Sequence, residues 1–446
     1  MTAFIRRAAM VASPGAWALV GVTYVLTVLV SVRRFWQWGP DSRYYLAWAY
    51  KYGGLSEAEA GRRTYEFLGG FSWFQPFCHG ACGPHVPAEA YDQLFHGHTG
   101  GLGAMRLLYP LLSAPFVRLF GPYGMLVVPL IAYAVCVALV MILTTRLVDR
   151  AWSVLAAMAM LLPLSVARFA TYAYTEALAM ALMAACLCVL PLDRPPQPRH
   201  RRRDLALLGV FLTLFAFTRQ FHPTVVAGVA LAWLGAAIRQ RRLRNDWLPL
   251  LAVAAGVAAV CSLIQSLLAP DFQVVGPFLR YLGADSIHDV PALLPAIAWQ
   301  IIKAEAFSAS ADGPLVVLTA LAVFAAARRP HHPLAQYTTG AVLVTFALSL
   351  ITAEGSDFRY YAITTPMLAI LATTTVAATL KQPPTAATIR PAPDASPTVS
   401  PAAATTNTRS TPTRVPEQPA STRAETEADT TQPVNHQRRH NHGRRW

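Results

Sequence analysis

Charge is scarce in this chain. Only 13% of its 446 residues are Asp, Glu, Lys or Arg, while 54% are hydrophobic. A soluble domain carries about a quarter charged residues, so that class is excluded. The apolar–polar alternation of an outer-membrane barrel is missing too. Cysteine is rare, six in all. Four of them (Cys136, Cys186, Cys188 and Cys261) fall inside apolar runs, where they serve as small hydrophobes. No internal repeat of the kind found in many transporters is visible.

What the chain does have is a series of apolar blocks of about 17–25 residues, the length that crosses a hydrocarbon core. This predicts an all-α polytopic membrane protein with about ten transmembrane helices. The spans run near 15–32, 122–145, 153–171, 176–192, 205–218, 223–238, 248–268, 313–327, 334–353 and 360–380. Arg6 and Arg7 before the first block resemble a signal peptide, but the aromatics that follow argue for a retained helix. Interfacial or re-entrant helices are expected at 42–52 and 102–120 in the first long connection, and at 291–307 in the second. The transmembrane domain covers 1–380. From Lys381 the composition turns to Pro, Thr, Ala and Ser, which predicts a disordered tail over 381–446.

The formal net charge is +14. Its Lys and Arg sit in short connections and the tail, where they set topology and meet lipid headgroups; no nucleic-acid partner follows. Arg6/Arg7, the turns at Arg146 to Arg150, Arg194 to Arg203, Arg239 to Arg244 and Arg328/Arg329, and the tail all fall on one side. The positive-inside rule makes that side cytoplasmic, with both termini, and puts the two long connections outside. Cys78 and Cys82, in FCHGACGPH on the outer side, are expected to form a disulfide. The alternative is a metal site with His79, His85, His96 and His98, although the spacing is not a zinc pattern.

Against this background one stretch stands out, FWQWGPDSRYYLAWAYKY over 35–52. Asp41 is its only carboxylate, with Arg43, Tyr44 and Tyr45 beside it and Trp36, Trp38, Trp48, Tyr50 and Tyr52 around it. Such aromatic density belongs at a bilayer–water interface. Ionisable groups at membrane boundaries are costly and usually have a task. On the same outer rim fall Arg106, Arg168, Glu176, Arg219, Lys303, Asp357 and Arg359. One acid among several arginines suits an anionic phosphate partner, which a guanidinium binds as a fork. The bland alternative is that these groups anchor helices or pair with one another, and that Asp41 pairs with Arg43 or caps the helix starting near Ser42.

The pieces PDSRYYLAWA, the run RLLYP at Arg106, TEALAMAL, TRQFHP and DFRYY resemble the GT-C superfamily of integral-membrane glycosyltransferases. The resemblance covers residues 1–380 as an architecture. It implies transfer of a sugar from a polyprenyl-phosphate donor to an extracytoplasmic glycan, lipid or protein acceptor. It implies Asp41 as the catalytic acid of the first outer loop and Arg359, with Arg219, as phosphate ligands. Arg43, Tyr44, Tyr45, Arg106, Glu176 and Tyr360 complete the expected substrate-binding set. Many members carry two adjacent acids where this chain has Pro40, Asp41 and Ser42. That argues against a bound divalent metal, so no metal ligands are assigned. Competing readings are a transporter or flippase and a non-catalytic scaffold for envelope assembly.

Two outcomes test the topology. Arg201→Cys should resist an impermeant thiol reagent in intact cells while Ser356→Cys reacts with it; the reverse pattern inverts the assignment. Peptide mapping without reductant should find Cys78 joined to Cys82.

Overall fold

The computed structural model describes residues 13–35, 37–71, 74, 88–192, 201–269, 288–352 and 358–380. All belong to one compact unit, Met1–Ala386. Cys78, Cys82, His79, His85, the side chain of His98, Asp357 and the tail from Lys381 lie outside the described residues.

Helix starts follow from local chemistry. α1 (Pro14–Arg34) has Pro near its first position and Ser13 as cap, its hydroxyl accepting from the Ala16 amide at 3.2 Å. α2 (Ser42–Tyr52) and α3 (Glu57–Leu68) follow, the latter capped by Ser56. α4 (Ala88–Asp92), α5 (Gly97–Met105) and α6 (Leu108–Phe120) complete the first long connection. A 3₁₀ turn, Gly121–Leu126, joins α6 to α7 (Val127–Leu147). α8 (Ala151–Leu161) and α9 (Leu164–Thr171) meet at a 73° bend. Pro163 explains it, since Pro lacks the amide that would continue α8. α10 (Glu176–Val189), α11 (Arg201–Ala216), α12 (His222–Gln240) and α13 (Leu248–Leu268) come next. α14 (Val290–Ser310), α15 (Gly313–Arg328), α16 (Pro333–Thr352) and α17 (Thr365–Leu380) end the described chain. The cap of α15, Asp312, also accepts from the Ser165 amide at 2.7 Å, tying α15 to the start of α9.

Among the described residues all regular structure is helical. Seven stretches are long and apolar enough to cross a membrane: Pro14–Arg34, Leu108–Leu147, His222–Gln240, Leu248–Leu268, Val290–Ser310, Pro333–Leu350 and Tyr361–Leu380. The bent pair α8–α9 makes an eighth if it is one span. The expected 102–120 helix forms as two pieces, the end of α5 and α6. α6 stops at Gly121 (φ 63°), and the 3₁₀ turn folds back on it, since a Cβ on Gly124 would stand 2.2 Å from the Phe116 backbone carbonyl. The 291–307 segment is a helix of 21 residues and belongs with the candidate spans. Three segments expected as spans, α10, α11 and α15, have 14, 16 and 16 residues. Outward faces of α1, α13 and α14 expose Leu19, Leu26, Leu263, Leu267, Trp299 and Phe307, more apolar surface than water tolerates. The architecture is that of a multi-pass membrane protein.

Two buried clusters organise the fold. The larger lies among α1, α7–α13, α15, α16 and α17. The smaller is aromatic, built on α2, α3 and α6 around Tyr45, Tyr65, Phe74 and Tyr109. α12 and α16 pack closely because small residues alternate between them: a Cβ on Gly340 would stand 2.5 Å from the Ala227 carbonyl oxygen. Gly340→Val is therefore expected to cost about 1–3 kcal/mol through overpacking, read as a lower melting temperature in detergent.

Candidate functional site

Five chain segments converge on one charged cluster. The first is the turn 37–42. The Ser42 hydroxyl accepts from the Gly39 amide at 3.1 Å and donates to the Ala173 carbonyl at 3.2 Å. The Ala173 amide in turn donates to the Gln37 carbonyl at 2.8 Å. The Asp41 turn is thus stitched to the 172–175 turn that precedes Glu176. Gly39 is required there, because a Cβ at that position would lie 1.8 Å from the Tyr174 hydroxyl. A second stitch joins Arg106 to Arg219. Gln265 donates to the carbonyls of Met105 (3.3 Å) and Ala216 (2.8 Å), and the Leu108 amide donates to the Phe217 carbonyl. The fifth segment is the 358–360 turn before α17. Phe358 takes a φ of 69°, rare and strained for a bulky side chain, and its amide donates to the Glu305 carboxylate at 2.6 Å. That geometry holds Arg359 in place.

Arg359 stands between the two acids. Its Nε donates to Glu176 Oε1, and Nη2 donates to Asp41 Oδ2 at 2.6 Å. Arg219 Nη1 donates to the same Glu176 oxygen. Arg106 Nη1 lies 3.8 Å from Asp41 Oδ2 and donates to the Tyr45 hydroxyl at 2.6 Å. Tyr174 lies beneath the Arg359 guanidinium at 4.1 Å, and Phe221 and Tyr360 flank Arg219 at 4.7 and 5.2 Å. Arg219 and Glu176 have 0% side-chain exposure, against 24% for Asp41.

Three guanidiniums face two carboxylates, which leaves one positive charge in excess. Moreover Nε and Nη2 of Arg219 and Nε of Arg106 are buried without a hydrogen-bond partner among the described residues. Buried donors of this kind call for an acceptor. Burial pushes the Asp41 carboxyl up, but the Arg359 and Arg106 guanidiniums outweigh it and hold it down at about 2. Asp41 is therefore an anion at any physiological pH and, with Oδ2 engaged by Arg359, a weak base.

Of the expected site residues, Asp41, Tyr45, Arg106, Glu176, Arg219, Arg359 and Tyr360 are brought together. Arg43 and Tyr44 are not: Arg43 donates to the Tyr44 hydroxyl at 2.7 Å. Asp41 makes no capping hydrogen bond at the start of α2, so neither local role considered for it holds. Arg168 turns to the Tyr172 hydroxyl and Lys303 to the Trp299 ring. Tyr174, Ser42, Gln265 and Glu305 were not among the expected site residues; the first lies in the stretch YAYT, directly before Glu176. No group of three or more His, Cys, Asp and Glu gathers closely enough to hold a metal ion among the described residues. No family model matches the chain, and no curated protein or solved structure matches it either.

Removing one member of a buried pair strands the other charge. Glu176→Ala, which leaves Arg219 unmatched, is expected to cost about 3–5 kcal/mol. Asp41→Asn, at a partly exposed position that caps nothing, should cost far less. Thermal unfolding in detergent separates the two, and equal losses would make Asp41 a structural ion.

Proposed function

We propose that this chain is a membrane glycosyltransferase of the GT-C type, which moves a sugar from a polyprenyl-phosphate donor to an acceptor hydroxyl on the extracytoplasmic face. The observation that carries the reading is the cluster: an acid used for neither capping nor local pairing, beside buried guanidinium donors with a positive charge in excess. A phosphate headgroup supplies both the missing charge and the missing acceptors. A second point supports it. Asp41, Arg106, Glu176, Arg219 and Arg359 come from five separate turns, and the distribution of Lys and Arg assigns all five turns to one face.

The chemistry is a single displacement with inversion. The acceptor oxygen attacks the anomeric carbon while its proton passes to the Asp41 carboxylate. The bond from the anomeric carbon to the phosphate oxygen breaks, and its electron pair stays on the lipid phosphate. Arg219 and Arg359 stabilise that charge from fixed positions in a water-poor site. Tyr45 and Tyr174 fix the guanidiniums of Arg106 and Arg359 in turn.

The purified protein, incubated with candidate polyprenyl-phosphate sugars and acceptor, should release lipid phosphate. General-base catalysis is worth about a hundred- to ten-thousand-fold, so Asp41→Asn should lose that much turnover while donor binding survives. Arg359→Lys keeps the charge but loses the fork, and should impair donor use. Turnover by Asp41→Asn within a few-fold of wild type would remove Asp41 from the reaction.

A further inference from the structure

The contacts in the cluster are shared unequally. Glu176 is doubly held, by Arg219 and Arg359. Asp41 is held through one oxygen, Oδ2, by Arg359 at 2.6 Å and by Arg106 more distantly. The spare donors all belong to Arg219 and Arg106. Among the described residues, then, the group needed as a base is engaged by a guanidinium, while buried donors of Arg219 and Arg106 meet no acceptor. A guanidinium bound to Oδ2 stabilises the anion and so weakens the whole carboxylate as a base. Something has to remove Arg359, and the only chemistry the cluster invites is an anion.

Resting on the glycosyl-transfer reading, we propose that Arg359 is a removable lock on Asp41: the donor's phosphate, bound at the vacant donors of Arg219, draws the Arg359 Nη2 away from Asp41 and frees the carboxylate for the acceptor's proton. The geometry provides a hinge for the exchange. Nε stays on Glu176 while Nη2 changes partner, and the strained Phe358 turn fixes the backbone from which the side chain pivots. A phosphate competes well for Nη2 because it presents paired oxygens to the guanidinium fork. Without donor, Asp41 is a poor base toward water or acceptor, so the lock orders the reaction as donor first.

The groups facing Asp41 are Arg359, Arg106, Arg219, Tyr45, Tyr174 and, across Arg359, Glu176. When Arg359 leaves, its lowering effect is lost while burial and the incoming anion both raise the carboxyl. Donor binding is therefore coupled to proton uptake at Asp41 in mildly acidic solution.

The test follows the Asp41 carboxyl C=O band in infrared difference spectra of the full-length protein, assigned by its loss in Asp41→Asn. Geranylgeranyl phosphate is the probe. In wild type its binding should raise the protonation midpoint by about one unit or more. Arg359→Gln should show a raised midpoint without ligand, and Arg359→Lys should not. The ligand-induced rise should shrink in Arg359→Gln, because the lock is already gone. An equal rise in wild type and Arg359→Gln, or no rise on demonstrated binding, overturns the lock, as does failure to bind the probe. If Arg359→Gln does not fold, the wild-type titration decides alone. The two readings separate cleanly: sugar transfer without any change at Asp41 sinks the lock and leaves the enzyme, whereas the expected shifts without transfer from any polyprenyl-phosphate sugar sink the enzyme and leave the lock.

Discussion

A single guanidinium, that of Arg359, bridges the two carboxylates of Asp41 and Glu176. Taking charges out of water costs several kcal/mol per ion, and mutual attraction offsets this only where geometry and hydrogen bonds are good. Glu176 and Arg219 are wholly buried, so neither is tolerable alone. Their pairing, extended through Arg359 to Asp41 and Arg106, allows five ionised groups to share one place between helix ends. Every turn that supplies a member must then be held in register with the others.

Short polar side chains and backbone groups do this holding. Ser42 and the Ala173–Gln37 hydrogen bond lock the Asp41 turn to the Glu176 turn. Gln265 joins the end of α5 to the end of α11, and so places Arg106 near Arg219. Glu305 on α14 accepts from the strained Phe358 and sets the Arg359 turn. The buried aromatic layer around Tyr45 and Tyr109 excludes water behind the cluster, which strengthens each electrostatic contact in front of it. Strain at Phe358 and close approach at Gly39 are the local costs of this arrangement, offset by the network they position.

Much of the fold was legible in the chain. Long apolar runs in the absence of charge read directly as helices, because backbone groups in an apolar medium must be satisfied within the segment. Boundaries followed where caps and prolines marked them, as at Pro14 and Asp312. The shape of single elements was less legible, because it depends on neighbours. The segment 291–307, which carries Lys303 and Glu305, read as a short interfacial helix; the helix has 21 residues, and its Glu305 accepts from the Phe358 amide. The block at 153–171 read as one span, but Pro163 bends it. Leu102 to Phe120 read as a separate element because of its prolines and arginines, and α6 does end at Gly121, where the backbone turns at a positive φ before α7.

At the site the same division holds. The sequence by itself determined which groups are ionisable, that they sit at helix ends, and that arginine outnumbers acid among them. Those are properties of composition and of the apolar pattern, both local. Only the tertiary structure decided the partners. Arg43, two residues from Asp41, turns to Tyr44, while Arg359, 318 residues away, takes the carboxylate. Sequence proximity gives a side chain reach but not direction. The residues that meet are chosen by which turns the packed helices bring together, and a buried charge accepts no partner but the one standing there.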